Sequence, residues 1–384
     1  MPSKQTNTAG TDAAGTLTAL VLQGGGALGA YQAGACEALA TRMQDVDWVA
    51  GVSIGAINAA LIVGNAPEQR IDRLRQFWER VSLPMVDPGL PHGDGLLRQW
   101  RNGSAAVCGA LLGIPGFFSP RPWWDWWPQP PASIYDTGPL RDTLLELVDF
   151  DRLNDGPMRF TVDAVDVESG NLSHFDNRQQ RIRPEHVMAS GALPPGFPAI
   201  SIDGRHYWDG GLVSNTPLAQ VMEQLPSLPQ RRATIFQVDL FSAHGKLPHS
   251  LDAVAERDKD IRYSSRTRLV SDLVREPHQL RRDLNKLVER LPARQREHPE
   301  VQALLASTAL PAVTLVHVIH RRKPYESQNK DYEFSAPSMR EHWLAGMGDM
   351  QASLAQLDAH QPPRIGEFCV LDCHGKVPER RYGA

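Results

Sequence analysis

Ala50 to Ala60, with the residues just before it, constrains the fold more than any other stretch of the chain. Val46-Asp47-Trp48-Val49 predicts a short buried strand, and Ile54, Ile57, Asn58 and Leu61 then recur at helical spacing among alanines. Between them lies Gly51-Val52-Ser53-Ile54-Gly55. A Gly-x-Ser-x-Gly between a strand and a helix is the pattern of a nucleophile elbow. The turn is so tight that the positions flanking the serine can bear no bulky side chain. In return the hydroxyl stands at a helix N-terminus, where the dipole favours developing negative charge. The same five residues also occur in ordinary Gly/Ser turns, so their meaning depends on the rest of the chain.

The chain before the elbow has the same design. Leu17 to Leu22 is an apolar run with strand character, followed by Gln23-Gly24-Gly25-Gly26-Ala27-Leu28-Gly29 and a helix carrying Tyr31, Ala35, Ala38 and Leu39. Gly24-x-Gly26-x-x-Gly29 has the spacing of a dinucleotide loop. The acidic residue expected at the end of a second strand is not convincing, because Asp45 and Asp47 precede a strand. Glycines also let backbone N–H groups approach a reacting oxygen closely. Cofactor loop, oxyanion loop and plain turn all fit this run taken alone; beside Ser53 the oxyanion reading leads.

Further on, Ala66 to Val81 and Leu140 to Val148 read as amphipathic helices, and Phe160 to Val167 and Leu172 to Phe175 as strands. From residue 84 to 131 the texture becomes rich in Pro and Gly, and Trp123, Trp124, Trp126 and Trp127 crowd into five positions. Indole rings sit well at a lipid–water boundary. This insertion is therefore either a lid or membrane-touching loop, or a segment packed on the protein's own core or on a second subunit. Ile200 to Trp208 reads as a hairpin turning at Asp203-Gly204, and it delivers Asp209-Gly210-Gly211 to a strand end. An aspartate so placed points into a cleft, or merely makes an Asp-Gly turn.

Beyond Ser242 the alternation of strand and helix stops. Leu280, Leu284, Leu287, Val288 and Leu291 predict a docked helical face, Ala312 to Ile319 a strong strand, His320-Arg321-Arg322-Lys323 a solvated basic loop and Ser338 to Leu357 a long helix.

Composition removes several classes of function. A net charge of −4 gives no global electrostatic case for nucleic acid. Cys36, Cys108, Cys369 and Cys373 are sparse for 384 residues, which reads as a reducing compartment. Cys369-x-x-x-Cys373-His374 lacks a second ligand pair, so no metal is expected there. Residues 1–16 lack a basic start followed by an apolar core, and no window of about 18 apolar residues exists. A disordered tail and a cytoplasmic protein are expected, with peripheral membrane contact left open.

Acyl transfer from serine needs a nucleophile, a base and donors for the oxyanion. Spacing alone leaves a Ser-His-Asp triad open, since thirteen histidines are scattered and His206 lies three residues from Asp209. Gly24 to Gly29, Gly51-Val52-Ser53-Ile54-Gly55 and Asp209-Gly210-Gly211, in that order, make residues 17–240 resemble a patatin-like phospholipase. Ala189 to Pro198 resembles the segment before the family's aspartate, while Gly211 stands where other members have alanine.

The resemblance implies a three-layer α/β/α sandwich around a mostly parallel sheet (17–245, with the insertion at about 84–131) and a largely helical C-terminal extension (246–384). It also implies a Ser53–Asp209 dyad without a catalytic histidine, an oxyanion hole at Gly24, Gly25 and Gly26, and hydrolysis of lipid acyl esters with no metal or organic cofactor. In this reading Gly29, Gly51, Gly55, Gly210 and Gly211 are motif glycines; peripheral membrane contact through Trp123, Trp124, Trp126 and Trp127 stays open beside packing on the protein itself. The alternatives are an acyltransferase using the same site, a nucleotide-binding regulatory protein and a membrane-recruited scaffold. The oligomeric state is left undetermined.

Overall fold

The computed structural model describes residues 15–84, 96–128, 131–264, 279–307, 310–321, 326–372 and 379–382. Nearly all of the expected N-terminal tail, Arg322-Lys323 and Cys373-His374 lie outside them. The first three elements are β1 (Thr16–Leu22), α1 (Gly29–Leu39) and β2 (Trp48–Gly51). The elbow then leads into α2 (Ile54–Val63), followed by α3 (Arg70–Arg80) and α4 (Leu96–Leu112). A small two-stranded sheet, β3 (Ser119–Pro120) with β4 (Tyr135–Asp136), closes the insertion.

Next come α5 (Gly138–Leu147), α6 (Phe150–Asp155), β5 (Arg159–Asp166), β6 (Leu172–Asp176) and α7 (Pro184–Ser190). They are followed by β7 (Ile200–Ile202), β8 (Arg205–Asp209), α8 (Leu218–Gln224), β9 (Arg232–Asp239) and α9 (Leu251–Tyr263). Helical residues 279–289 (α10), α11 (Ala293–Arg296), α12 (Pro299–Ser307), β10 (Ala312–Ile319), α13 (Ala336–Ala359), β11 (Phe368–Leu371) and β12 (Glu379–Tyr382) complete the chain.

Among the described residues ten strands form one sheet in the order β12-β11-β10-β9-β1-β2-β5-β8-β7, with β6 also paired to β5. The run from β11 to β5 is parallel, while β12, β6, β8 and β7 pair antiparallel. Strands buried on both faces need apolar residues at every position, and β1 shows how they divide with period two. Leu20 and Leu22 enter a core shared with α1, α2 and α13, whereas Leu17, Ala19 and Val21 meet Leu218, Val221 and Met222 of α8 on the opposite face. The result is a three-layer α/β/α sandwich.

The C-terminal extension is largely helical, but it also lengthens this sheet. The expectation that alternation stops at Ser242 is therefore corrected: β10 lies parallel on β9, and β11 and β12 follow outward. The docked face expected in α10 is also only partly met, because Val288 is buried while Leu280 and Leu287 are exposed. Helix α13 crosses α1 at two glycines. A Cβ on Gly34 would lie 1.8 Å from the Trp343 carbonyl oxygen, and one on Gly346 would lie 1.9 Å from that of Tyr31. Backbone opposes each, so neither neighbour can swing away. Gly346→Ala is expected to lower the unfolding free energy by about 1–3 kcal/mol, outweighing the ~1 kcal/mol of helix propensity that alanine adds. Gly348→Ala, on the same helix with nothing within 4 Å, should instead be stabilising. Denaturant midpoints of the two variants test the sign of each effect.

Sheet register places the site. Gly51, the last residue of β2, lies opposite Val162 of β5. Two residues along β5, Ala164 lies opposite Asp209 of β8. At both points β6 occupies the other edge of β5. Strand β8 thus fills the gap left where β2 turns away into the elbow, and Asp209 arrives beside Ser53.

Candidate active site

Ser53 has φ +55° and ψ −123°, a left-handed conformation that few residues other than glycine tolerate. Such strain costs of order 1–3 kcal/mol and persists where the surroundings over-determine it. Here they do. A Cβ on Gly51 would meet the Gly55 carbonyl oxygen at 2.4 Å, and one on Gly55 would meet that of Leu22 at 2.3 Å. The N–H of Ser53 donates to Ser190 Oγ (3.0 Å), and the Ser190 hydroxyl in turn donates to the Asp163 carbonyl (2.7 Å). The elbow is thereby tied to α7 and β5.

Asp209 is buried, and its Oδ1 accepts the Gly211 N–H (2.7 Å). Burial pushes this carboxyl up to about 7, against the Gly211 N–H and the neighbouring Ser53 side chain, which favour its charged form. An aspartate of ordinary acidity is a poor base toward a serine hydroxyl; one poised near neutrality is a better one. His206 is exposed on β8, and among the described residues no histidine lines the cavity.

The Gly24–Gly26 run borders the same cavity. Its three N–H groups are not equivalent. Gly24 donates to the Asn215 carbonyl (3.1 Å) and its own carbonyl accepts Asn215 Nδ2 (3.0 Å), so Asn215 clamps this glycine on both sides. Among the described residues no backbone carbonyl takes the N–H of Gly25 or Gly26. Gly26 has φ +54°, and a Cβ there would lie 2.0 Å from the Asp331 carbonyl oxygen, which accepts the N–H of Ala27 (2.7 Å). Gly29 lets Ile54 and Trp78 close on α1, while Gly210 sits against the Asp163 carbonyl and Gly211 against Asn215.

Sequence reading missed the groups that hold this loop. Gln23 Oε1 accepts the N–H groups of Leu240 (2.6 Å) and Phe241 (3.0 Å), while its Nε2 donates to Thr216 Oγ1 and the Tyr263 carbonyl, both at 3.0 Å. Asn215 also donates to the Tyr263 carbonyl (2.7 Å). A lone Gln or Asn beside glycines carries no pattern that would single it out. The cavity, of about 390 Å³, is lined by Ser53, Asp209, Asn215 and Asp331 among its polar residues. Most of its wall is apolar, with Ile57, Phe117, Phe118, Leu193, Phe197 and Phe334 prominent.

A serine held by a tight turn, a buried carboxylate within hydrogen-bond reach and two open glycine N–H groups together define a site equipped for acyl transfer. A family model described as patatin-like phospholipase matches residues 20–222, more than half of the chain, and a second, described as patatin phospholipase, matches residues 261–365. The chain belongs to the patatin-like phospholipase family, which places it among enzymes that hydrolyse lipid esters. No curated protein matches it in sequence.

Among solved structures, VipD from Legionella pneumophila is similar at 13% identity and a TM-score of 0.39, covering 90% of this chain and 67% of that one. The type III effector ExoU is similar at 12% identity and a TM-score of 0.36, covering 90% of this chain and 54% of its own, so this chain spans about half of ExoU. At these TM-scores neither likeness bears on substrate or mechanism.

Proposed function

We propose that the protein is a serine acyl hydrolase acting on phospholipid or related lipid esters, with Ser53 as nucleophile and Asp209 as base. The observation that carries this reading is a strained serine and a neighbouring buried carboxylate that line one largely apolar cavity. Ionised Asp209 takes the Ser53 proton as Oγ attacks the ester carbonyl. The N–H groups of Gly25 and Gly26, at the start of the turn into α1, receive the developing oxyanion. Asp209 then returns the proton to the departing alcohol, leaving an acyl-Ser53 intermediate. Water enters and attacks the acyl carbon as Asp209 takes its proton; the Ser53–acyl bond then breaks, Asp209 returns that proton to Ser53 Oγ, and the carboxylic acid is released. The apolar part of the cavity suits an acyl chain, whose burial drives binding. The free thiols of Cys36 and Cys108 suit a reducing compartment.

The apolar surface beside the cavity suits a lipid interface. Trp123 and Trp127 are 79% and 83% exposed, and Leu111 and Leu112 at the end of α4 are 70% and 78% exposed. Leu111 and Leu112 follow a residue of the cavity wall, because the Tyr135 hydroxyl donates to the Ala110 carbonyl (2.7 Å) and both Tyr135 and Ala110 line the chamber. Among the described residues no helix is long and apolar enough to cross a membrane. Contact is therefore peripheral, with the indoles at headgroup level. The triple variant Trp123→Ser, Trp124→Ser, Trp127→Ser should bind phosphatidylcholine vesicles at least about tenfold more weakly, while hydrolysing a soluble p-nitrophenyl ester at the wild-type rate. Unchanged sedimentation with vesicles would remove the loop from this role. Product analysis on phospholipid tests the hydrolase reading itself: free fatty acid and lysophospholipid are expected, and transfer to an added alcohol in preference to water would overturn it.

A further inference from the structure

We propose that His320, Glu326 and His342 form a structural site for a divalent transition-metal ion, separate from the chemistry at Ser53. The sequence presents His320 as the start of a solvated basic run, yet the side chain is 1% exposed. Glu326 is 3% and His342 4% exposed. His320 follows the last residue of β10, Glu326 lies six residues on, and His342 projects from α13. Nε2 of His320 lies 3.0 Å from Glu326 Oε1, and Nε2 of His342 lies 3.3 Å from the same oxygen. One ligand atom from each residue lies within 4.8 Å of the other two.

Two imidazoles and one carboxylate are a zinc-type donor set. Ligand atoms about 2.0–2.1 Å from a tetrahedral ion stand roughly 3.3 Å apart, so the two measured N···O separations already match edges of that figure. Hydrogen bonding alone does not satisfy the cluster. Both imidazoles converge on a single oxygen, while Nδ1 of His320 and Nδ1 of His342 are buried without a partner. A void of about 10 Å³ borders Glu326 and His342, with Asn102, Glu333 and Ser338 on its polar walls. That is roughly the space one water occupies, which supplies a fourth ligand.

The position gives the ion a structural task. It joins the end of β10 to α13 and to the segment that carries Glu326. Five residues along that segment, the Asp331 carbonyl caps Gly26 and Ala27, and Phe334 forms part of the acyl chamber. The His320 ring also packs edge-on against Tyr31 of α1, with centroids 5.0 Å apart. A bound ion would hold the C-terminal wall of the chamber against the oxyanion loop.

Zinc content and thermal unfolding of the full chain test this. Chelator-treated wild type and Ser53→Ala, dialysed against Zn2+ and freed of excess, should each retain close to one ion per chain and gain several degrees in Tm. Glu326→Gln keeps an oxygen for both imidazoles but loses the anionic ligand, and it should retain less than a tenth of an ion and show no gain. Co2+ loaded into wild type should give the intense visible absorption of a tetrahedral N/O site, a readout that does not depend on how the variant folds. No zinc uptake by wild type, uptake by Glu326→Gln equal to wild type, or a weak octahedral cobalt spectrum would each overturn the assignment.

Discussion

Ser53→Ala is expected to lower kcat/KM by at least about 10⁴ on phospholipid and on a soluble p-nitrophenyl ester alike, because losing the nucleophile of an acyl-enzyme mechanism has cost as much as ~10⁶ elsewhere. The two substrates should fall together, since the lesion is in the chemical step and not in lipid access. Stability should respond in a characteristic way. Ser53 is held at φ +55°, and alanine keeps the Cβ that makes this conformation costly. Glycine removes it. Ser53→Gly should therefore be as inactive as Ser53→Ala yet more stable than wild type by about 1 kcal/mol or more. Measuring both variants by activity and by thermal unfolding separates a strained functional serine from an ordinary turn residue, for which neither change would matter.

Asp209→Asn should be the second large effect, a loss of roughly 10²–10⁴ in kcat/KM, the range of general-base catalysis. With the Asp209 carboxyl near 7 in the folded protein, wild-type kcat/KM should rise with pH and level off above about 7. At pH 5 only about 1% of the carboxyl is ionised, which puts the rate about a hundredfold below its plateau. The same shift fixes a stability profile. The unfolded carboxyl titrates near 3.8 and the folded one near 7, so between those values the folded state binds more protons. Stability from this group is fully present below about pH 4, is lost as pH rises toward 7, and stays lost above it. Three pKa units set an upper bound of about 4 kcal/mol. Asp209→Asn abolishes the ionisation, so it should unfold at a higher temperature than wild type at pH 8, with the advantage shrinking toward pH 4. A variant inactive yet more stable at high pH is what a buried catalytic carboxylate produces. A salt-bridged structural aspartate would behave oppositely.

How much of this was legible in the sequence follows from the range of the interactions involved. The elbow could be read directly because its constraint is local: Gly51 and Gly55 face each other across one turn, and any chain making that turn needs them. Strand β10 was equally plain, since Ala312–Ile319 is apolar at nearly every position. Strands β11 and β12 were not, because one is four residues long and the other reads Glu-Arg-Arg-Tyr, with no apolar signal to betray a sheet edge.

The partnership of Ser53 with Asp209 rests on β8 entering a gap beside β5, a register that no local spacing encodes. Only the family resemblance points to it in the sequence. The hydrogen bond from the Gly24 N–H to the Asn215 carbonyl spans 191 residues, so no reading of the glycine run could separate Gly24 from Gly25 and Gly26. His320 looked solvated beside Arg321, since nothing in a basic run announces that a glutamate six residues on will bury it. The glycines at the α1–α13 crossing look like weak points in helices until the opposing carbonyls are seen.

The central claim is that Ser53 is activated by Asp209. A fluorophosphonate probe followed by peptide mapping tests it most directly. The account requires one phosphonyl adduct on Ser53 in wild type, no adduct in Ser53→Ala, and labelling of Asp209→Asn slowed by about a hundredfold or more. An adduct on another residue, or labelling of Ser53 at an undiminished rate in Asp209→Asn, would contradict it.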